Sequence, residues 1–139
     1  FIIDYAHTNQ SYADIYEDFN TDKPITTLFG CGGDRDKTKR KITGRIVDKY
    51  SSRIFITEDN CRSEEFNLIA KDILRGIKKK SKCIIEKSRK NALKRLIAHS
   101  RSRDMNFILG KGNESYIIRG KQKIRHNDMK YIMEMIKKA

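Results

Sequence analysis

An apolar run leads into an amphipathic one through the stretch Ile25-Thr26-Thr27-Leu28-Phe29-Gly30-Cys31-Gly32-Gly33-Asp34-Arg35-Asp36-Lys37-Thr38-Lys39-Arg40. The first five residues predict a buried strand, and the apolar spacing from Thr38 to Tyr50 predicts a helix. Three glycines in four positions allow the backbone between them to approach a ligand closely. Charged residues and hydroxyls follow at once. The combination indicates a strand-to-helix loop that binds an anionic or zwitterionic small molecule.

Two phosphate-binding motifs do not fit this loop. The dinucleotide fingerprint requires a glycine at the position of Arg35. The P-loop requires a glycine immediately before Lys37 and Thr38, where Asp36 stands. The loop therefore calls for an explanation other than phosphate binding.

The rest of the chain repeats the strand-then-helix pattern. Alternation of this length predicts an α/β, Rossmann-like, three-layer sandwich with a mostly parallel sheet and helices on both faces. A C-terminal hairpin is expected around Gly120. The expected strands cover residues 1–3, 25–29, 53–57, 83–86 and 105–109, and the expected helices cover 11–19, 38–50, 63–76, 88–98 and 127–138.

Four of the expected strands end in unusually polar loops. Parallel α/β sheets bind ligands outside the carboxyl ends of their strands, and these loops would lie along one such edge. Their convergence predicts a binding site there. The loops are residues 4–8, 30–38, 58–62 and 110–115.

Composition indicates a single domain at 139 residues, with 37% apolar and 35% charged residues. No apolar run approaches the length of a membrane span and no signal-peptide pattern is visible, so we expect a cytoplasmic monomer with no membrane partner. Cys31, Cys61 and Cys83 lack the paired spacing of a zinc site, and reduced thiols are expected. Because the chain opens inside an apolar run, we also expect further protein upstream of Phe1.

The formal net charge of +13 raises the alternative of a basic α/β module that binds nucleic acid. The excess lies in residues 71–103, where 13 Lys and Arg stand against 2 Asp and Glu. This segment contains no aromatic residue and so offers no platform for stacking bases. A solvated helix surface is the favoured interpretation, and no nucleic-acid partner is expected.

Taken together, four motifs resemble the C-terminal domain of the Mur ligases, most closely the members that add diaminopimelate to the peptidoglycan peptide. The resemblance covers essentially residues 1–139, in family order. The family's usual residues differ at Asn9 and Cys61, where it has proline, and at Asn113, where it has histidine. The motifs are Asp4-Tyr5-Ala6-His7-Thr8, the stretch from Phe29 to Arg40, Asp59-Asn60-Cys61-Arg62 and Gly110-Lys111-Gly112-Asn113-Glu114.

The resemblance implies ATP-dependent amide-bond formation through an acyl phosphate. The substrates would be ATP, UDP-MurNAc-L-Ala-D-Glu and meso-diaminopimelate or a close diamino diacid. ATP and Mg²⁺ would be held mainly by a central domain that these residues do not include, so the isolated domain is expected to be inactive. A nucleotide-binding domain of another ligase, such as folylpolyglutamate synthase, is a third possibility, against which the long second motif argues.

The resemblance also implies roles for individual residues. Arg62 would set specificity by pairing the distal carboxylate of the diamino acid, a group that lysine lacks. Asp4 and His7 would lie near the ribose and phosphates of ATP. No catalytic residue and no metal ligand is expected, and His99 and His126 are expected at the surface. The residues expected to bind the diamino acid are Arg35, Asp59, Asn60, Cys61, Arg62, Gly110 and Glu114.

Overall fold

A computed structural model describes all residues from Phe1 to Ala139. Strands and helices alternate as predicted, with boundaries within a few residues of those expected. The strands are β1 (Ile2–Asp4), β2 (Ile25–Phe29), β3 (Arg53–Ile56), β4 (Cys83–Ile85), β5 (Met105–Leu109), β6 (Tyr116–Arg119) and β7 (Gln122–Arg125). The helices are α1 (Asn9–Phe19), α2 (Thr38–Tyr50), α3 (Phe66–Leu74), α4 (Arg89–His99) and α5 (Asp128–Lys138).

Five strands form one parallel sheet in the order β1-β5-β2-β3-β4. All five residues of β2 are buried at its centre, where Leu28 lies in register with Phe55 on one side and Ile108 on the other. This burial on both faces explains why β2 contains only apolar residues and threonines, with no charged side chain. β6 and β7 form a separate antiparallel hairpin, as predicted.

The sheet separates two hydrophobic cores, because successive side chains of a strand point to opposite faces. Phe29 packs in the core shared with α1, α2 and α3, whereas Leu28 packs in the core shared with α4 and α5. Buried hydroxyls in the first core are satisfied by one another, with Thr27 bonded to Tyr16 and Ser51 at 2.7 Å each. The three-layer sandwich is therefore confirmed.

This topology brings the ends of β1, β5, β2 and β3 side by side at the carboxyl edge of the sheet. The four polar loops follow these strands directly and lie at the same edge, as predicted. None of the helices is both long and apolar enough to span a bilayer.

Candidate functional site

The glycine loop (residues 30–37) packs directly on the loop that follows β3 (residues 57–65, called the β3 loop). The Gly33 amide donates to the Asn60 carbonyl at 2.9 Å. A Cβ atom at Gly33 would collide with the backbone carbonyl of Cys61. Close approach of one loop to the other therefore requires glycine here, a refinement of the expectation that the glycines serve approach to a ligand.

Asp34 fastens the two loops together. Its backbone has a φ of 53°, in the left-handed region that aspartate tolerates better than most residues. Its carboxylate accepts hydrogen bonds from the Ser63 amide at 3.2 Å and the Ser63 hydroxyl at 2.5 Å. These two bonds lower the pKa of Asp34 below its usual value. The Asp34 amide in turn donates to Glu64 Oε2 at 2.7 Å.

Arg40 is buried beneath the glycine loop, at 1% exposure. Its guanidinium bonds Glu64 at 2.5 Å, Asp72 at 3.0 Å and the Gly32 carbonyl at 3.0 Å. Arg40 is therefore a buried and paired cation and not a solvated charge at the start of α2. Hydrogen bonding from Arg40 lowers the pKa of Glu64 to about 2.

A cavity of about 370 Å³ opens beside these loops at the carboxyl edge. The structure brings four of the seven predicted amino-acid-binding residues, together with His7, into its wall. Cys61, Gly110, Glu114 and Asp4 do not line it. The lining includes Arg35, Asp59, Asn60, Arg62, His7, Cys31, Gly30, Gly32, Lys39 and Arg40.

Two of the three arginines that line the cavity, Arg35 and Arg62, are oriented by backbone carbonyls. Arg62 Nη1 donates to the Gly33 carbonyl at 2.9 Å and to the Asn60 carbonyl at 3.3 Å. Arg35 Nη1 donates to the Asp34 carbonyl at 3.0 Å. Neither arginine pairs with a carboxylate of the chain, so both guanidinium groups retain donors for an anionic ligand.

The cysteines of the site are protonated side chains that pack. Burial raises the pKa of the Cys31 thiol to about 12, although its side chain lines the cavity. Cys61 is buried in the first core at 6% exposure, and burial raises the pKa of its thiol as well. Neither thiol is poised as a nucleophile, because that role requires the thiolate.

Gly110 and Glu114 lie beside the cavity in a buried polar cluster. Gly110 has a φ of 106°, and a Cβ there would meet Asp59 Oδ2 at 2.6 Å, so this glycine admits the aspartate. Glu114 Oε2 lies 2.6 Å from Lys111 Nζ. The ammonium of Lys111 also contacts Asp59 and Asn60. Sequence reasoning missed Lys111, and its position between Gly110 and Gly112 was the only available signal.

Asp4 and His7 stand on the other side of the cavity mouth. Asp4 ends β1, and its carbonyl accepts from the Gly110 amide at 3.0 Å. The His7 ring lies over the Tyr5 ring with centroids 4.1 Å apart, and its Nδ1 is 2.8 Å from the Tyr5 carbonyl. His7 is therefore held at the cavity, whereas the exposed Asp4 side chain is outside its wall.

The hairpin of β6 and β7 holds the β3 loop from the opposite side. Arg62 exchanges backbone hydrogen bonds with it, donating to the Ile118 carbonyl at 3.2 Å and accepting from the Gly120 amide at 2.7 Å. Buried Glu58 pairs with Arg119 at 2.5 Å. These contacts explain how Arg62 maintains a left-handed φ of 53°. The sequence predicted the hairpin but not its attachment to the site.

A second buried ion pair lies behind the site. Arg89 and Asp128, both with fully buried side chains, pair at 2.7 Å. Arg89 also donates to the Leu109 carbonyl at 3.2 Å and the Glu58 carbonyl at 3.3 Å, which joins the ends of β5 and β3. His126 contacts Asp128 at 2.7 Å and is 6% exposed, so its expected surface position is wrong.

The comparisons with known proteins agree with this architecture. The family model described as "Mur ligase, glutamate ligase domain" matches residues 1–112. Two relatives are each named UDP-N-acetylmuramoyl-L-alanyl-D-glutamate–2,6-diaminopimelate ligase. The one from Wolinella succinogenes is 38% identical over 97% of this chain and 31% of its own length. The one from Helicobacter pylori is 41% identical over 96% of this chain and 30% of its own length.

A solved structure described as UDP-N-acetylmuramoyl-L-alanyl-D-glutamate–2,6-diaminopimelate ligase superposes with a TM-score of 0.90. It is 26% identical and covers 98% of this chain and 28% of its own. The chain thus spans less than a third of the length of these relatives. The family match and the shared fold confirm the resemblance read from the four motifs: this chain belongs to the Mur ligase family and matches its glutamate ligase domain.

Proposed function

We propose that residues 1–139 form the amino-acid-binding domain of a ligase that adds meso-diaminopimelate, or a close diamino diacid, to UDP-MurNAc-L-Ala-D-Glu. The observation that carries this proposal is that one cavity is lined by two arginines, Arg35 and Arg62, and also by Asp59 and Asn60. A diamino diacid presents two carboxylates and two amino groups. Guanidinium groups are suited to the carboxylates, and carboxylate and amide oxygens to the ammonium groups.

The contribution of this chain to the reaction is orientation. In the proposed reaction the D-glutamate carboxylate receives a phosphoryl group from ATP and becomes an acyl phosphate. An amine of the diamino acid attacks the acyl carbon, the C–N bond forms, and the C–O bond to phosphate breaks. Binding the diamino acid by its carboxylates directs that amine towards the acyl carbon and removes the entropic cost of a bimolecular encounter.

Arg62 is the residue we propose for specificity. Its Nη1 is occupied by two carbonyls, at 2.9 and 3.3 Å, so the orientation of the guanidinium is set before ligand binds. The remaining N–H groups can donate two hydrogen bonds to the distal carboxylate of diaminopimelate. L-lysine has no such carboxylate and would leave these donors without a partner.

ATP and Mg²⁺ belong mainly to another part of the proposed ligase. His7 lies in the cavity wall, and Asp4 lies at the end of β1, the strand that precedes His7 in the chain. We propose that both residues face the ribose and phosphates of ATP. No group of three His, Cys, Asp or Glu side chains in the chain is arranged to hold a metal ion. We propose that a central domain outside these residues binds the metal. We further propose that the protein acts as a monomer in the cytoplasm.

The test is titration of the 139-residue chain with meso-diaminopimelate, followed by ¹⁵N NMR. We expect saturable shifts in the glycine loop and the β3 loop, and much weaker binding of L-lysine. Arg62→Ala should raise the Kd for diaminopimelate by roughly 10- to 100-fold, the usual effect of losing a charged hydrogen-bonded contact. Arg103→Ala, which removes an exposed arginine far from the cavity, is the matched control. Absence of binding by the wild-type chain would refute the proposed function.

A further inference from the structure

The ammonium of Lys111 lies among the side chains predicted to bind the substrate's amino groups. Its Nζ is 2.6 Å from Glu114 Oε2, 2.8 Å from Asn60 Oδ1 and 3.4 Å from Asp59 Oδ1. Lys111 is fully buried, and the Tyr116 ring lies 5.7 Å from the same nitrogen. A fixed cation therefore already contacts three of the predicted ligand groups.

The loop between β5 and β6 directs this side chain inward. Its two glycines both have positive φ, 106° at Gly110 and 50° at Gly112. A Cβ at Gly112 would meet the Tyr5 Cβ at 2.7 Å, so the loop packs tightly against the start of the chain. The Glu114 amide donates to the Lys111 carbonyl at 2.9 Å and closes the turn. The position of the ammonium thus follows from the backbone.

The cluster has a charge that suits one further cation. Asp59 and Glu114 contribute two negative charges and Lys111 contributes one positive charge. Buried Asp59 and half-buried Glu114 would be unfavourable near each other with no counter-ion, whereas the cluster with Lys111 has a net charge of −1. That charge matches a single ammonium group of a ligand in the adjoining cavity, whose wall includes Asp59 and Asn60.

We propose that Lys111 is a positioning residue for diamino-acid binding. Its ammonium fixes the orientations of Asn60 and Glu114 and reduces the charge of the cluster to the value that one substrate ammonium neutralises. The inference rests on the proposed function, because it assumes a diamino acid as ligand. It extends that function by assigning a role to a residue that lies behind the cavity and does not line it.

The Asn60 side chain shows how far this positioning reaches. Its Oδ1 accepts from Lys111 and also from the Ile118 amide at 2.9 Å. Asn60 has a φ of 37°, and its carbonyl accepts from both Gly33 and Arg62. Loss of the Lys111 ammonium would therefore disturb the residue that joins the glycine loop, the hairpin and Arg62.

The first experiment compares charge with volume at this position in the 139-residue chain. Lys111→Met keeps most of the volume and removes the charge, whereas Lys111→Arg keeps the charge. We expect Lys111→Met to raise the Kd for meso-diaminopimelate at least about tenfold, as for a lost charged contact, and Lys111→Arg to stay within a few-fold of wild type. Lys121→Ala, an exposed lysine of the hairpin turn, is the control.

Chemical rescue separates the ammonium from mere packing. In Lys111→Ala, added n-propylammonium should restore affinity, and n-propanol of similar size should not. If Lys111 contributed only by packing, n-propylammonium and n-propanol would either both restore the affinity of the Lys111→Ala variant or both fail to restore it. Equal or tighter diaminopimelate binding by Lys111→Met or Lys111→Ala would overturn the inference, because it would show that the native ammonium competes with the substrate.

A further measurement uses the wild-type chain, so its result does not depend on whether a variant folds. The Lys111 NH₃⁺ group should give a slowly exchanging ¹H–¹⁵N signal because it is buried. We expect this signal to persist and to shift as diaminopimelate saturates the site, while signals of exposed lysines stay unchanged. Loss of the protected signal on saturation would mean displacement and would refute the inference. Absence of diaminopimelate binding altogether would instead refute the proposed function.

Discussion

Two regions of this protein are rich in cations but use them differently. At the carboxyl edge of the sheet, Arg40 and Lys111 are buried and each is paired with at least one carboxylate. In residues 71–103, every Lys and Arg except Arg89 and Lys82 is exposed. The edge contains the candidate site, whereas the basic segment supplies most of the net charge. Charge count alone therefore did not locate the functional surface.

The difference is one of desolvation. A buried charge requires a partner, so Arg40, Lys111 and Arg89 each organise the groups around them. An exposed lysine is hydrated and screened by salt, so its position is weakly specified and its ion pairs contribute little. If this comparison is correct, substitutions of buried and of exposed cations should differ in their effects on stability by several-fold.

The largest effect is expected at Arg89, the buried cation that lies within the basic segment itself. Arg89→Met leaves the Asp128 carboxylate buried without its main partner, and should lower the free energy of unfolding by about 3–5 kcal/mol. Burial would raise the pKa of Asp128, but Arg89 and His126 outweigh burial and hold it well below the usual range. Urea unfolding followed by circular dichroism measures the loss.

The double variant Arg89→Met/Asp128→Leu separates pairing from packing. Because both charges are then removed, its loss of stability should be clearly smaller than the sum of the two single losses. Arg101→Met, an exposed arginine of the same segment, should change stability little. Equal effects of Arg89→Met and Arg101→Met would break the comparison between buried and exposed cations.

The fold followed almost entirely from local sequence patterns. The run of uncharged residues in β2 predicted a buried parallel strand, and the apolar spacing of α2 predicted a helix packed on it. The alternation of such runs along the chain predicted the other strands and helices. The polar loops at Gly30 and Asp59 follow neighbouring strands and lie at the same edge of the sheet, as predicted. These features depend on periodicity and chain order, which are visible in one sequence.

Pairing of charges across the fold could not be predicted in the same way. Arg40 is 24 residues from Glu64, and Lys111 is 51 residues from Asn60. Nothing local distinguishes Arg40 from exposed Lys39 beside it. His126 looked like a surface residue because its partner Asp128 is buried by its pairing with Arg89, which lies 39 residues away in the sequence.

A medium effect is expected at Glu64, which joins the glycine loop to the β3 loop and is partly exposed. Its pKa of about 2 in the folded state lies below its usual value of 4.5, so its stabilisation is complete above pH 4.5 and disappears as pH falls towards 2. Glu64→Gln should cost about 1–2 kcal/mol at pH 7, where the charged bonds to Arg40 are lost. The gap from wild type should narrow between pH 4.5 and 2.

Urea midpoints measured at several pH values test this sign. The difference between wild type and Glu64→Gln isolates Glu64 from the other carboxylates that titrate in the same range. Glu65→Gln removes an exposed carboxylate one residue away that makes no ion pair, and serves as the control. A difference that stays constant with pH would show that Glu64 contributes through packing and not through its charge.

The smallest effect is expected from three lysines of the basic segment, Lys78, Lys79 and Lys94. All are exposed and none forms an ion pair. The triple change to Gln should shift stability by less than about 0.5 kcal/mol per site and leave the Kd for diaminopimelate unchanged.

Gel-shift assays with RNA and DNA at physiological salt test the competing nucleic-acid function, because contacts to phosphate make binding strongly salt-dependent. We expect neither the wild-type chain nor the triple variant to form a stable complex with RNA or DNA. A complex that the wild-type chain forms and the triple variant loses would give the basic segment a function of its own, and would show that exposed charge here is selected for binding.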